Sequence, residues 1–120
     1  MEDFVTYEQA KILKDLGFDW ECLYPYTEKK IIGYHPSPIN WNNDENAKYG
    51  IISAPTLAQA QKWLREAKGI LILIQHNKNF YWTISTNESD DEVIAIYEYE
   101  TYEKALLGAI NKALEIIKNK

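Results

Sequence analysis

A single cysteine, Cys22, stands in the 120 residues, so no disulfide can form within the chain. With that count a reducing compartment is the simple expectation. Histidine is nearly as scarce. His35 and His76 are the only two, and neither has a second histidine, or the cysteine, at a spacing that builds a zinc site. The acidic run Glu88–Glu92 lacks the glycine and the ligand spacing of a calcium loop. Glycine is present five times, at 17, 33, 50, 69 and 108. No glycine-rich loop opens a helix, which removes the usual phosphate cradle. The longest apolar run, Ile70–Ile74, is far too short to cross a bilayer. The N-terminus is acidic and polar, unlike a secretory signal. A cytoplasmic protein with no membrane association is expected. No serine lies in a nucleophile elbow, and no carboxylate pair has neighbours that mark it as an acid–base couple. The sequence nominates no catalytic residue, no cofactor and no metal, and the expectation is that the protein is not an enzyme.

Basic blocks are also absent. Acids outnumber bases 18 to 13, for a net charge of −5. A phosphate-backbone binder is therefore disfavoured.

What the chain does have is aromatic and aliphatic residues. Nine tyrosines, four tryptophans and a 46% hydrophobic content suffice for a packed core and exclude a disordered chain. At this length one domain covering 1–120 is expected.

The first helix is well punctuated. Thr6 and Gln9 form a capping box, Val5 and Ala10 a small hydrophobic staple. Ile12, Leu13 and Leu16 supply the apolar face, Gly17 is placed to stop the helix, and Phe18 would fold back. Residues 19–54 carry weaker signals: short strands at 30–34 and 51–53, and between them a loop, 35–50, broken by two prolines and four asparagines.

From residue 56 the pattern sharpens. Thr56 and Gln59 repeat the capping box. Leu57, Ala60, Leu64 and Ala67 share a helical face, with Trp63 on its flank. Gly69 ends that helix and five aliphatics follow at once. With no polar alternation, that strand reads as covered on both sides or central in its sheet. Residues 76–79 form a turn and 80–85 a strand. Residues 86–92 read as an acidic exposed turn and 93–99 as a third strand, in an antiparallel meander. Thr101 caps a last helix whose stripe runs from Tyr102 to Ile117. The fold class is α+β: a mainly antiparallel sheet of at least three strands, an α-β-β-β-α core, and two to three helices on one face.

That order is the order of the double-stranded RNA-binding domain, whose last helix opens with lysines that meet phosphates. The corresponding ETYEKALLGA (100–109) holds two glutamates and one lysine. TYEKALLGAINKALEII (101–117) is also similar to the helix of HicB-type antitoxins. Across more of the chain, TYEQAKILKDLGFDWEC, APTLAQAQKWLREAKGI and YETYEKALLGAINKALEIIK resemble, in that order, a small family of hypothetical proteins from Bacteroidetes genomes and their bacteriophages and prophages. The resemblance implies a mobile-element origin and transfers no activity and no catalytic residue.

Each of the three blocks combines a cap, an apolar face and, in two cases, a glycine stop, which are features that specify architecture. The surfaces left for function are aromatic: Trp41 and Tyr49 in the asparagine-rich loop, and Tyr81, Tyr97 and Tyr99 on the strands. Trp41 can either anchor a partner or tuck inward. Tyr81, Tyr97 and Tyr99 can either receive a partner or pair across strands. The leading expectation is a non-catalytic phage- or prophage-related accessory protein that binds another protein, with a homodimer as one form of that binding. A nucleic-acid-associated module of RNA-binding or HicB-like topology is the alternative. A small enzyme using Cys22 or a carboxylate pair is the third reading.

Overall fold

The computed structural model describes residues 3–31 and 38–119. It is an α+β protein whose chain divides into two compact units, Met1–Thr56 and Leu57–Lys120.

In the first unit, helix α1 spans Tyr7–Asp15. Both halves of the expected capping box are present. The Thr6 hydroxyl accepts from the Gln9 amide at 3.1 Å, and the Gln9 side chain accepts from the Thr6 amide at 2.9 Å. The helix stops as its sequence implies. Gly17, at φ +97°, turns the chain. Its amide bonds to the Lys14 carbonyl and that of Phe18 to Leu13, the paired bonds of a Schellman ending. Phe18 is driven into the core.

Beyond α1, three short strands, β1 (Pro25–Thr27), β2 (Lys30–Ile31) and β3 (Ile52–Ser53), form an antiparallel sheet ordered β2-β1-β3. The proposed strand at 30–34 is described only as far as Ile31, and residues 32–37, with His35, lie outside the described residues. β1 was not legible in the sequence. The segment expected to be a loop also holds a short helix, α2 (Asp44–Ala47), capped by the Asn43 side chain on the Asn46 amide at 2.8 Å.

The asparagines there replace a regular ladder. Asn42 donates to the Phe18 carbonyl at 3.0 Å and accepts from the Ser53 amide at 2.9 Å. Asn46 donates to the Trp41 carbonyl at 3.2 Å. Side-chain amides thus satisfy backbone groups that a loop would otherwise leave unpaired.

The second unit begins with α3 (Leu57–Lys68), which opens directly after Thr56. Its buried residues are Leu57, Ala60, Trp63 and Leu64. Trp63 therefore belongs to the core face rather than its flank, and Ala67 is exposed. Strands β4 (Ile70–Asn77), β5 (Asn79–Thr86) and β6 (Ser89–Ile94) follow as an antiparallel meander, and α4 (Tyr102–Lys118) closes the expected α-β-β-β-α order.

α3 packs on β4, α4 on β4 and β5, and the helices pack on each other. Ile70, Ile72, Trp82 and Ile84 are buried on the helix side, together with Ala105, Leu106, Ala109 and Ile110 of α4. The expectation that Ile70–Ile74 is covered on both faces or central in its sheet fails, since β4 lies at the edge of the order β4-β5-β6. Leu71 is 38% and Leu73 43% exposed. Uniform aliphatics hide which face carries the helices, because strand geometry sends alternate residues to opposite sides whatever their character.

The third strand is also placed differently. Ser89–Glu92 belong to β6 rather than to a turn, and the connection from β5 is only Asn87–Glu88. Charged residues on an edge strand are a common guard against edge-to-edge association.

Glu28 and Lys29, which join β1 to β2, both have positive φ, 53° and 67°, where side chains with a Cβ are strained. A two-residue hairpin with both central residues at positive φ favours Asn-Gly. The double substitution Glu28→Asn, Lys29→Gly is expected to raise the unfolding free energy by about 1 kcal/mol in urea titrations.

The buried Tyr26 hydroxyl donates to the Val5 carbonyl at 2.5 Å. Burial pushes its phenol above the ordinary value of 10.0. The neutral form is thus favoured by folding. This contribution is complete below pH about 10 and is lost as pH rises through the folded-state value. Tyr26→Phe is expected to cost roughly 1 kcal/mol at neutral pH. The gap between the two proteins should narrow when unfolding is measured above pH about 10.

Candidate functional site

The aromatic residues nominated from sequence separate when placed in the fold. Trp41 is only 8% exposed. Its indole N–H donates to the Cys22 carbonyl at 2.8 Å, and its amide donates to the Ser53 hydroxyl at 3.0 Å. It holds the first unit together and offers no ring to a partner. Tyr49, after α2, is exposed. Tyr81 pairs with Gln75 across β4 and β5 and lies on the strand face opposite Trp82. Tyr97 and Tyr99 are the two that come together, along one groove of the second unit.

The groove follows from a mismatch in register. β6 pairs with β5 through Thr83↔Ile94 and Ile84↔Val93, and the Ala95 amide continues the ladder to the Trp82 carbonyl at 3.0 Å. The same register would set Phe80 opposite Tyr97. Instead Phe80 bridges Tyr99, with N–H to O distances of 2.8 and 2.7 Å. Two surplus residues must leave the sheet between these anchors. Ile96 is 90% exposed and Tyr97 72%, a position no apolar pair takes by ordinary packing. The strand expected over 93–99 is therefore broken in its middle.

Since α4 packs on β4 and β5, a cavity of about 360 Å³ remains between α4 and the chain from β6 to Tyr99. Trp82, Val93, Ile94 and Tyr99 make its wall apolar, and Lys112 and Glu115, 3.3 Å apart, form a paired rim on α4. Gly108 sits where the Tyr99 ring crosses α4. A Cβ there would meet the Tyr99 hydroxyl and come within 2.9 Å of its Cζ. The Trp82 indole N–H lies 3.4 Å from the same hydroxyl. Tyr97 was nominated from the sequence, but Gly108 and Ile96 escaped it. The only available signal was a glycine inside an otherwise strong helix, where it costs about 1 kcal/mol relative to alanine and so calls for a packing reason.

Groups with other chemistry are placed less suggestively. Cys22 is buried, its Sγ 3.7 Å from the Trp20 carbonyl. His76 is exposed on β4 with its ring 4.7 Å from that of Phe80. Among the described residues no three His, Cys, Asp or Glu side chains gather as a metal-ligand set, and no helix is long and apolar enough to cross a membrane. Four bases that a nucleic-acid surface would draw on each lie near a carboxylate: Lys62 and Arg65 at 3.9 Å from Glu66, Lys104 at 3.7 Å from Glu100, and Lys112 beside Glu115.

No protein-family model, no curated protein and no solved structure matches this chain.

The close fit of Tyr99 over Gly108 is open to test by a double-mutant cycle. Gly108→Ala should displace the Tyr99 ring and change the emission of Trp82, with no gain in stability. In a Tyr99→Ala background the same substitution should stabilise by about 0.5–1 kcal/mol, the helix propensity of alanine no longer being opposed by the ring.

Proposed function

We propose that the protein is a non-catalytic binding protein whose groove between α4 and β6 receives part of another protein. One observation carries this reading: Ile96 and Tyr97 are held outside the sheet by backbone pairing on both sides of them, next to an apolar cavity. Exposed apolar side chains fixed on a rigid frame lose little entropy on binding, and their burial supplies the free energy of association. The rim offers one carboxylate, Glu115, already paired with Lys112. Such a lining suits recognition better than acid–base chemistry. The sequence resemblance to proteins of Bacteroidetes and their phages supports an accessory role in a mobile element, inside the host cytoplasm.

The α-β-β-β-α order keeps a nucleic-acid-associated module as the second reading. The carboxylates beside Lys62, Arg65, Lys104 and Lys112 speak against it, because phosphate binding draws on uncompensated positive charge.

Affinity capture from phage-infected or lysogenic host cells separates the two. The expected outcome is a protein partner retained after nuclease treatment and lost when Ile96→Ser and Tyr97→Ser are combined. A partner that disappears with nuclease alone would favour the nucleic-acid module.

A further inference from the structure

We infer that the occupant of this groove is a cationic peptide segment of the partner, carrying lysine or arginine beside one or two aliphatic or aromatic anchors. The inference rests on the protein-binding reading above and adds the chemistry of what is bound. Between Asn79 and Glu103 the chain has seven acids and no lysine, arginine or histidine. This stretch builds one whole side of the groove and its approaches.

The fold displays those acids. β6 meets β5 at Ser85↔Glu92 and next at Thr86↔Ser89, so Asp90 and Asp91 are extra to the ladder and bulge from the edge strand. Glu98 and Glu100 flank Tyr99, and Glu103 lies in the first turn of α4. All of these are exposed. Of the nearest bases, Lys104 offsets Glu100 alone, at 3.7 Å, and Lys112 sits beside Glu115, so neither pairs with Asp90, Asp91, Glu92, Glu98 or Glu103. Tyr97, with its ring in solvent, is a surface over which an ammonium or guanidinium group can rest.

Other occupants fit worse. A second copy would bring the same acids to a two-fold interface, where like charges oppose association. A nucleic acid would bring phosphates to them. An uncharged apolar segment would fill the cavity but gain nothing from the exposed acids of the same stretch. A cationic segment satisfies the cavity and its surroundings together.

The test uses the full chain and fluorescently labelled synthetic peptides, read by anisotropy: an amphipathic Lys/Leu peptide, its Glu/Leu counterpart, and a Lys/Ser peptide without anchors. The Lys/Leu peptide should bind, the Glu/Leu peptide should not, and the Lys/Ser peptide should bind about tenfold more weakly or worse. Raising salt from about 50 to about 500 mM should weaken the Lys/Leu complex. Neutralising the edge by Asp90→Asn, Asp91→Asn and Glu92→Gln should raise Kd about tenfold. Ile96→Ser with Tyr97→Ser should raise it similarly. Glu8→Gln with Glu45→Gln, in the first unit, should leave it unchanged. Thermal melts establish that each variant is folded.

Equal weakening by the Glu8 and Glu45 substitutions, or wild-type binding by the Ile96 and Tyr97 variant, would reduce the effect to diffuse charge attraction and overturn the inference. The cellular partner discriminates further. Capture that needs Ile96 and Tyr97 but ignores the neutralised acids and salt removes the cationic occupant and leaves the protein-binding reading intact. Capture that ignores Ile96 and Tyr97 removes both.

Discussion

β5 pairs with more chain than a regular neighbour would supply. Its Trp82 carbonyl accepts from Ala95, and its Phe80 backbone bridges Tyr99. A regular strand would place two residues fewer between those bonds. The backbone polar groups on both sides are satisfied, so the surplus cannot be absorbed by slippage without breaking a bond or reversing the faces of the strand. The excursion of Ile96 and Tyr97 is what remains. The exposed apolar pair, the cavity beside it and the seat of Tyr99 on Gly108 all follow from this count.

The two units solve the same problem by different means. In the second, a meander of longer strands pairs most of its backbone and two amphipathic helices bury one face. In the first, strands of two or three residues cannot satisfy enough backbone by themselves. Side chains complete the work: Asn42 joins Phe18 to Ser53, Asn46 holds Trp41, and the Trp41 indole reaches Cys22. The asparagine bonds are part-buried and the Trp41 bond buried, and polar groups withdrawn from water are costly when unpaired, so such a network is sensitive to its members. Of the two readings the sequence left open for Trp41, anchoring a partner or tucking inward, the structure takes the second.

Charge supplies the second constraint on the groove. Its net effect is local, not global. The overall balance of −5 is ordinary for a domain of this size, but a stretch of 25 residues without a base concentrates negative potential on one side of one unit. At physiological salt such fields act over about 8 Å, which confines their influence to a ligand already near the groove.

The sequence by itself determined the elements whose signals are local. Thr6 with Gln9, Gly17 with Phe18, the glycine before Ile70 and the Thr101 cap each act within one helical turn, and the α-β-β-β-α order followed from them. Which face of β4 is covered, whether Trp41 points in or out, and where the third strand begins and breaks depend on partners distant in sequence. Ile70–Ile74 reads the same on both faces, and Val93–Tyr99 reads as one strand until its pairing with Phe80 and Trp82 is known. Only the tertiary structure decided those points, because hydrophobicity along a strand does not encode the register of its neighbour.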